Sequence, residues 1–406
     1  MDTSQAEATP LGERAQDVVA LLEGEKAPED VFGPTFLAAV SPAQFNAISS
    51  QLTTQFGPVI GVESLEATGE YSANIALRFE RAIGRGTIAL ESQAPYRVEG
   101  LLLSSFESLD DTPDKISAEL NAMPGNASAY FGPLDGSDPM FASNPDEHMA
   151  IGSTFKLYVL SALARSIEAG ERNWADTVAI NRRSFPSGQM QDWPEGAPVT
   201  LQTLATMMIS ISDNTATDIL IHELGREVVE AELIASGHSN PARTLPLLTT
   251  IEMFGLKGSP YNLEKYINGD EAAKRFMLLD FVDDIGGDTD KLEGPIPTVP
   301  TAIDTVEWFA NAGDLAGILN RLSMLEDGTA LSVMAVNPAL DKSQREKWKY
   351  VGFKGGSEPG VLNLTWLLQD QANAWHILTV SANNQEGPIN KGKLQLMAQR
   401  ILALAP

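Results

Sequence analysis

The chain has 406 residues, 43% of them apolar, enough for a large buried core and more consistent with two domains than with one. Its 54 acidic residues against 28 basic ones leave a formal charge of −26, so nucleic acid and anionic lipid surfaces are poor partners. The absence of cysteine excludes disulfides, thiolate catalysis and zinc–thiolate sites. There is also no apolar run of about eighteen residues to span a membrane. The four histidines, His148, His222, His238 and His376, stand far apart with no metal-ligand spacing. Each is expected as a surface or core residue, and no metal or organic cofactor is expected.

Residues 1–30 read as an amino-terminal helical arm with one short helix over 11–22. A second helix is expected over 34–55, where Phe36, Leu37, Val40, Phe45, Ile48 and Leu52 share a side and Pro42 divides the run. From Val59 the pattern changes to four β-like runs, 59–65, 71–79, 86–91 and 96–103, separated by turn signals. A helix followed by a four-strand meander makes a small α+β domain over 31–108. The polar, aperiodic stretch 105–114 marks its boundary, and a second domain is expected over 115–406. That domain begins with a short helix (116–122) and two short strands (128–132 and 139–141). It continues as helices over 154–284 and 301–335, divided by a Gly/Pro-rich linker, 286–300. It closes with strands 350–354, 361–368 and 375–382 and a helix over 394–404. Strands at both ends with helices between them suggest one sheet, closed by the two ends of the domain, against a helical lobe.

Three stretches of this second domain carry the residues of a reaction centre. Ser153 and Lys156, three apart at the start of an apolar helical run, project from one helix face within reach of each other. A lysine kept partly neutral by burial can take the serine proton, and free N–H groups at a helix start favour developing negative charge. The plain alternative is a helix cap followed by a surface lysine. Ser212-Asp213-Asn214 falls in a tight connection between two expected helices. Ser212 offers a hydroxyl to relay a proton to a leaving group, and Asn214 an amide able to hold a substrate carbonyl and Lys156. Lys354-Gly355-Gly356-Ser357 ends a β run, where glycines let a ligand or another backbone come close. Lys354 supplies positive charge suited to a substrate carboxylate.

Ser-x-x-Lys, Ser-Asp-Asn and Lys-x-Gly, in this order, form the signature set of class A β-lactamases and penicillin-binding proteins. Residues 115–406 therefore resemble the serine β-lactamase/penicillin-binding superfamily. The resemblance implies an antiparallel sheet with a helical lobe, and an acyl-enzyme formed on Ser153 with Lys156 as base. Ser212 would pass the proton, Asn214 would hold the substrate amide and Lys354 would steer its carboxylate. The N–H groups of Ser153 and Ser357 would form the oxyanion hole, beside Gly355 and Gly356. The amino-terminal unit, with the stretches Leu-Leu-Thr-Thr-x-Glu-Met-Phe and Lys-Gly-Gly-Ser-Glu-Pro-Gly, resembles two-domain proteins of the clavulanic-acid-cluster open-reading-frame-12 type. In those a small α+β cystatin/NTF2-like domain precedes the hydrolase domain.

Two departures shape the expected activity. Class A β-lactamases carry a Glu-x-x-Leu-Asn loop whose glutamate activates the deacylating water, and no such sequence occurs here. Glu232 and Glu252 are possible substitutes, although a helix surface is the expected place for each. Gly355 replaces the usual hydroxyl residue of the third motif. The expectation is thus a serine hydrolase acting on a small carboxylate-bearing ester or β-lactam, esterase-like or slow, with weak β-lactamase turnover. The alternatives are a genuine β-lactamase or D-alanyl-D-alanine peptidase, or a ligand-binding protein that keeps the fold without turnover. Enzymes of this kind are periplasmic or secreted, so a signal peptide is expected to have preceded Met1.

Overall fold

Caps written into the sequence set the helices of the amino-terminal part. The computed structural model describes residues 9–109, 111–285, 296–340 and 342–405. Its contacts divide the chain into two units. The first comprises Met1–Leu120, Leu340–Lys347 and Asn390–Pro406. Helix α1 (Pro10–Leu22) starts where Thr9 Oγ1 accepts the Gly12 N–H, with Pro10 at the first helical position, where a missing N–H costs little. Leu11, Ala15, Val18 and Leu21 of α1 lie in this unit's core, so the segment read as an arm is an integral wall of it. Pro42 opens helix α2 (Pro42–Phe56) behind a Ser41–Gln44 capping box, and a separate short helix covers Pro34–Ala39.

The expected meander is a four-stranded antiparallel sheet of β1 (Val59–Gly69), β2 (Ser72–Phe79), β3 (Ala82–Leu90) and β4 (Val98–Ser108), paired in chain order. Ala73, Ile75, Leu77 and Phe79 alternate into the core at the two-residue period of a strand. Arg78, pointing to the other face, is only 2% exposed. It pairs with Glu63 at 2.8 Å and with Asp111. Arg400, on the helix Lys391–Leu402, pairs with Asp111 at 2.8 Å and with Glu119.

The second unit comprises Asn121–Ala339 and Trp348–Ile389. Its sheet contains β5 (Asn126–Pro133), β6 (Phe141–Ser143), β7 (Tyr350–Glu358), β8 (Val361–Gln369) and β9 (Trp375–Asn383). All neighbours are antiparallel in the order β7-β8-β9-β5-β6, so early and late strands of the unit do share one sheet. The helical lobe includes α3 (Lys156–Glu168), α4 (Leu201–Ser210), α5 (Asn214–Leu224), α6 (Arg226–Ala235), α7 (Thr250–Gly258) and α8 (Ala312–Ser323). Helix α3 is buried at every position from Lys156 to Ala164, which makes it the central helix of the lobe. The helices expected from residue 301 begin only at Ala312. Before them Phe309–Ala310 pairs as a short strand with Met149–Ala150. Residues 286–295 of the expected linker lie outside the described residues. Among the described residues no helix is long and apolar enough to cross a membrane.

Candidate active site

Ser153 stands at the entrance to α3, in a 3₁₀ turn, Gly152–Phe155, rather than in the first α-helical turn expected from the spacing. The turn starts from Gly152 at φ +48°, a left-handed conformation that glycine adopts at little cost. Directly after the serine, Thr154 donates to Asn363 Oδ1 at 2.7 Å, and Thr365 donates to the same oxygen at 2.8 Å. Asn363 Nδ2 in turn donates to Ser381 Oγ at 2.7 Å. This buried polar network pins the turn to β8 and β9. No spacing in the sequence announces it, since its members lie more than two hundred residues apart on one side.

Lys156 is fully buried, and its amine has three acceptors: Ser212 O at 2.7 Å, Ser212 Oγ at 3.2 Å and Asn214 Oδ1 at 2.7 Å. Among the described residues no hydrogen bond joins this amine to Ser153 Oγ. Burial, and then the charge of Lys354, push the Lys156 amine well below the ordinary lysine range, toward its neutral form. Lys354, on β7, donates to Ser212 Oγ at 3.0 Å and to Gly355 O. It is 2% exposed, and burial lowers its pKa to about 7. The lysine expected to meet a substrate carboxylate is thus turned onto Ser212, which receives hydrogen bonds from both amines.

Ser212 holds φ +60° in the connection between α4 and α5, and non-glycine residues kept in that region recur at functional sites. Asp213 locks the strained turn. Its Oδ1 caps α5 through Ala216 N–H at 2.9 Å, and its Oδ2 accepts Gln189 N–H at 2.7 Å and Met190 N–H at 2.9 Å. Asn214 donates through Nδ2 to Phe185 O and through its backbone to Ser187 O, both at 2.9 Å. The segment 185–190 is therefore a supporting loop that sequence reasoning missed, having no periodicity to mark it.

The two glycines of the third motif are explained by crowding. A methyl group on Gly356 would stand 2.6 Å from Ser153 N and 2.0 Å from Ile151 O, and one on Gly152 would stand 3.1 Å from Ser357 N. β7 thus passes close against the Ser153 turn, with Gly356 beside Ser153 N and Gly152 beside Ser357 N. At Gly355 an added methyl would meet the Phe353 ring at 2.9 Å. Ser153, Ser212, Asn214, Gly355 and Ser357 line one cavity of about 270 Å³, while Lys156 and Lys354 lie behind that lining. Thr250, Met253 and Phe254 of α7 add to it, as do Glu307, Trp308 and Glu358.

The two glutamates weighed as water-activating bases are not on helix surfaces. Glu252 is fully buried, forks onto Arg226 at 2.6 and 2.9 Å and closes the Thr249 capping box of α7. Glu232 is 6% exposed and bidentate with Arg321, both bonds 2.7 Å, while Ser161 donates to it at 2.5 Å. Arginine neighbours of such geometry spend these carboxylates on structure, and neither lines the cavity.

Two of the histidines, expected to stand far apart, are neighbours in space. His148, His238 and Asp314 place their donor atoms within 4.8 Å of one another. Yet Nε2 of His238 donates to Phe309 O at 2.8 Å and Nδ1 accepts Asn240 N–H at 3.2 Å, so both ring nitrogens are engaged. Asp314 caps α8, accepting Asn311 N–H at 3.0 Å, and also accepts Ser239 N–H at 2.6 Å. His238 and Asp314 are thus held in an internal network, and His148 Nε2 lies 2.9 Å from Ser239 Oγ at its edge.

Residues 112–276 match the profile of the Beta-lactamase enzyme family. Among solved structures, a β-lactamase from Sphaerobacter thermophilus is 22% identical, with a TM-score of 0.49 over 72% of this chain and 94% of its own. PBP-A is 15% identical, with a TM-score of 0.48 over 72% and 93% respectively. A class A β-lactamase from Mycobacterium abscessus is 17% identical, with a TM-score of 0.47 over 71% and 96%. Curated protein sequences give no match.

Proposed function

We propose that the protein is a serine hydrolase of the β-lactamase/penicillin-binding type that forms an acyl-enzyme on Ser153, a reading supported by the match of residues 112–276 to the Beta-lactamase enzyme family. The observation that carries this reading is the fully buried Lys156 amine, biased toward neutrality and bonded to Ser212 and Asn214 one turn after the serine. As Ser153 Oγ adds to the substrate carbonyl, the Lys156 amine takes its proton. The carbonyl oxygen, now an anion, rests on the Ser153 and Ser357 N–H groups, each donor of this kind supporting about 2.7–4 kcal/mol of barrier lowering. Collapse expels the leaving group, which receives its proton from Ser212 Oγ, and Lys156 restores that proton.

Hydrolysis of the acyl-enzyme needs a base for water. With Glu232 and Glu252 committed to arginines, the acyl group is held longer than in an efficient β-lactamase. Small esters suit such a site, since an alkoxide or phenoxide leaves with little help. Intact-mass spectrometry after exposure to a penicillin, a cephalosporin and a p-nitrophenyl ester tests the proposal. A persistent adduct on Ser153, lost in Ser153→Ala, is expected; no adduct from any of the three would overturn it. Rapid nitrocefin turnover would instead make the protein a genuine β-lactamase.

A further inference from the structure

Part of the cavity lining takes no part in the acyl transfer. Glu307 and Glu358 both belong to the cavity lining, and their carboxyl groups converge on one lysine. Lys257 Nζ reaches both, 3.1 Å from Glu307 Oε1 and in direct contact with Glu358 Oε1. The side chains are 1%, 0% and 5% exposed for Lys257, Glu307 and Glu358, and Glu307 Oε2 also accepts Trp308 N–H at 3.0 Å. Two carboxyl groups therefore meet a single ammonium. The imbalance is made up by a proton: burial and the Glu307 charge hold Glu358 well above the usual carboxylate range.

Other buried glutamates of this unit differ. Glu230, Glu232 and Glu252 each have an arginine of their own: Arg275, Arg321 and Arg226. Among the described buried glutamates, the cavity-lining pair shares a single cation. Its position is also informative. Glu358 follows Ser357 directly on β7, and both residues line the cavity that Ser153 opens into.

We propose that Glu307 and Glu358 form an ammonium subsite for the acyl side of the substrate. A primary ammonium seated there brings the count to two cations, Lys257 and the ligand, against two carboxylates. As the ammonium binds, the Glu358 O–H gives its proton to water, and no other covalent bond changes. The overall charge of −26 supports the same selection by drawing cations toward the protein. This inference rests on the acyl-enzyme reading above.

Matched probes test it. Ampicillin differs from benzylpenicillin by one ammonium on the acyl side chain, and 4-nitrophenyl glycinate differs from the acetate in the same way. Second-order rates of adduct formation on Ser153 are read by intact mass at pH 7. In the wild-type protein the ammonium member of each pair is expected to acylate about tenfold faster. In Glu358→Gln the ratio is expected to fall toward one, because the amide copies the protonated carboxyl and cannot ionise. Glu307→Gln, which leaves one carboxylate matched to Lys257, is a second variant with the same expected loss. A wild-type ratio of one or less, or a ratio unchanged in a folded variant, overturns the subsite while leaving the acyl-enzyme intact. If neither variant folds, the wild-type ratio decides. No adduct from any of the four probes overturns the acyl-enzyme reading and the subsite with it.

Discussion

Arg78 and Arg400 of the first unit and Lys156 and Lys354 of the second are all buried cations, and the two pairs are treated in opposite ways. In the first, Arg78 and Arg400 are 2% exposed and surrounded by Glu63, Asp111 and Glu119, with Arg400 raised further above its ordinary value by those partners. In the second, Lys156 and Lys354 are equally buried. Among the described residues neither makes an ion pair, and each has only hydroxyl, amide and carbonyl oxygens for partners. Burial raises the cost of both kinds of charge, but carboxylates in direct contact offset it for the arginines, whereas no carboxylate touches either lysine among the described residues. The difference separates a cation that holds a fold from one prepared to lose its proton.

The largest effect expected from this contrast is in Lys156→Met, which should slow acylation of Ser153 by about 10²–10⁴-fold in intact-mass time courses. A smaller loss would mean that another group takes the serine proton. Arg400→Met should leave Asp111 and Glu119 without one of their cations and cost about 3–5 kcal/mol of stability in urea unfolding. A cost near zero would place that network among ion pairs of no net worth. Gly356→Ala puts a methyl 2.0 Å from Ile151 O. It should destabilise by about 1–3 kcal/mol while lowering acylation by about 10²-fold or more. Normal acylation in that variant would show that the two N–H groups are not the oxyanion hole.

The smallest effect concerns pH. Lys354 has a folded pKa of about 7 against an ordinary value of 10.5. Between those values the unfolded chain binds a proton that the folded one does not, so this residue makes stability rise with pH across that window. Its penalty is complete below pH 7 and gone above about 10.5. Glu358, which keeps its proton in the folded protein beyond the ordinary glutamate range, acts with the opposite sign. Urea unfolding from pH 7 to 10 should therefore show Lys354→Met losing stability relative to the wild type by up to about 1.4 kcal/mol per pH unit. A constant difference would mean that Lys354 stays charged.

Much of the arrangement was readable in advance where it is local. The alternation of the strand runs and the three- and four-residue spacing in α3 are short-range signals, and those elements form where the signals fall. The three motifs were readable for the same reason, each being a run of three or four neighbours. Reading failed where a residue's partner is distant. Glu252 looked like a surface helix residue because nothing nearby names Arg226, 26 positions away. His148 and His238, 90 positions apart in the chain, looked unrelated until the fold brought their rings to 6.2 Å, tilted against each other.

By itself, then, the sequence determined the helices, the strands and which hydroxyl and amine groups exist to react, because propensity, capping and periodicity act within a few residues. Only the tertiary structure decided which charges lose their solvent and which find a counter-charge. Lys354 faces Ser212 across 142 positions, and Lys257 meets Glu307 and Glu358 across 50 and 101. Desolvation and Coulomb energy depend on distance in space, and no local pattern of residues encodes that distance.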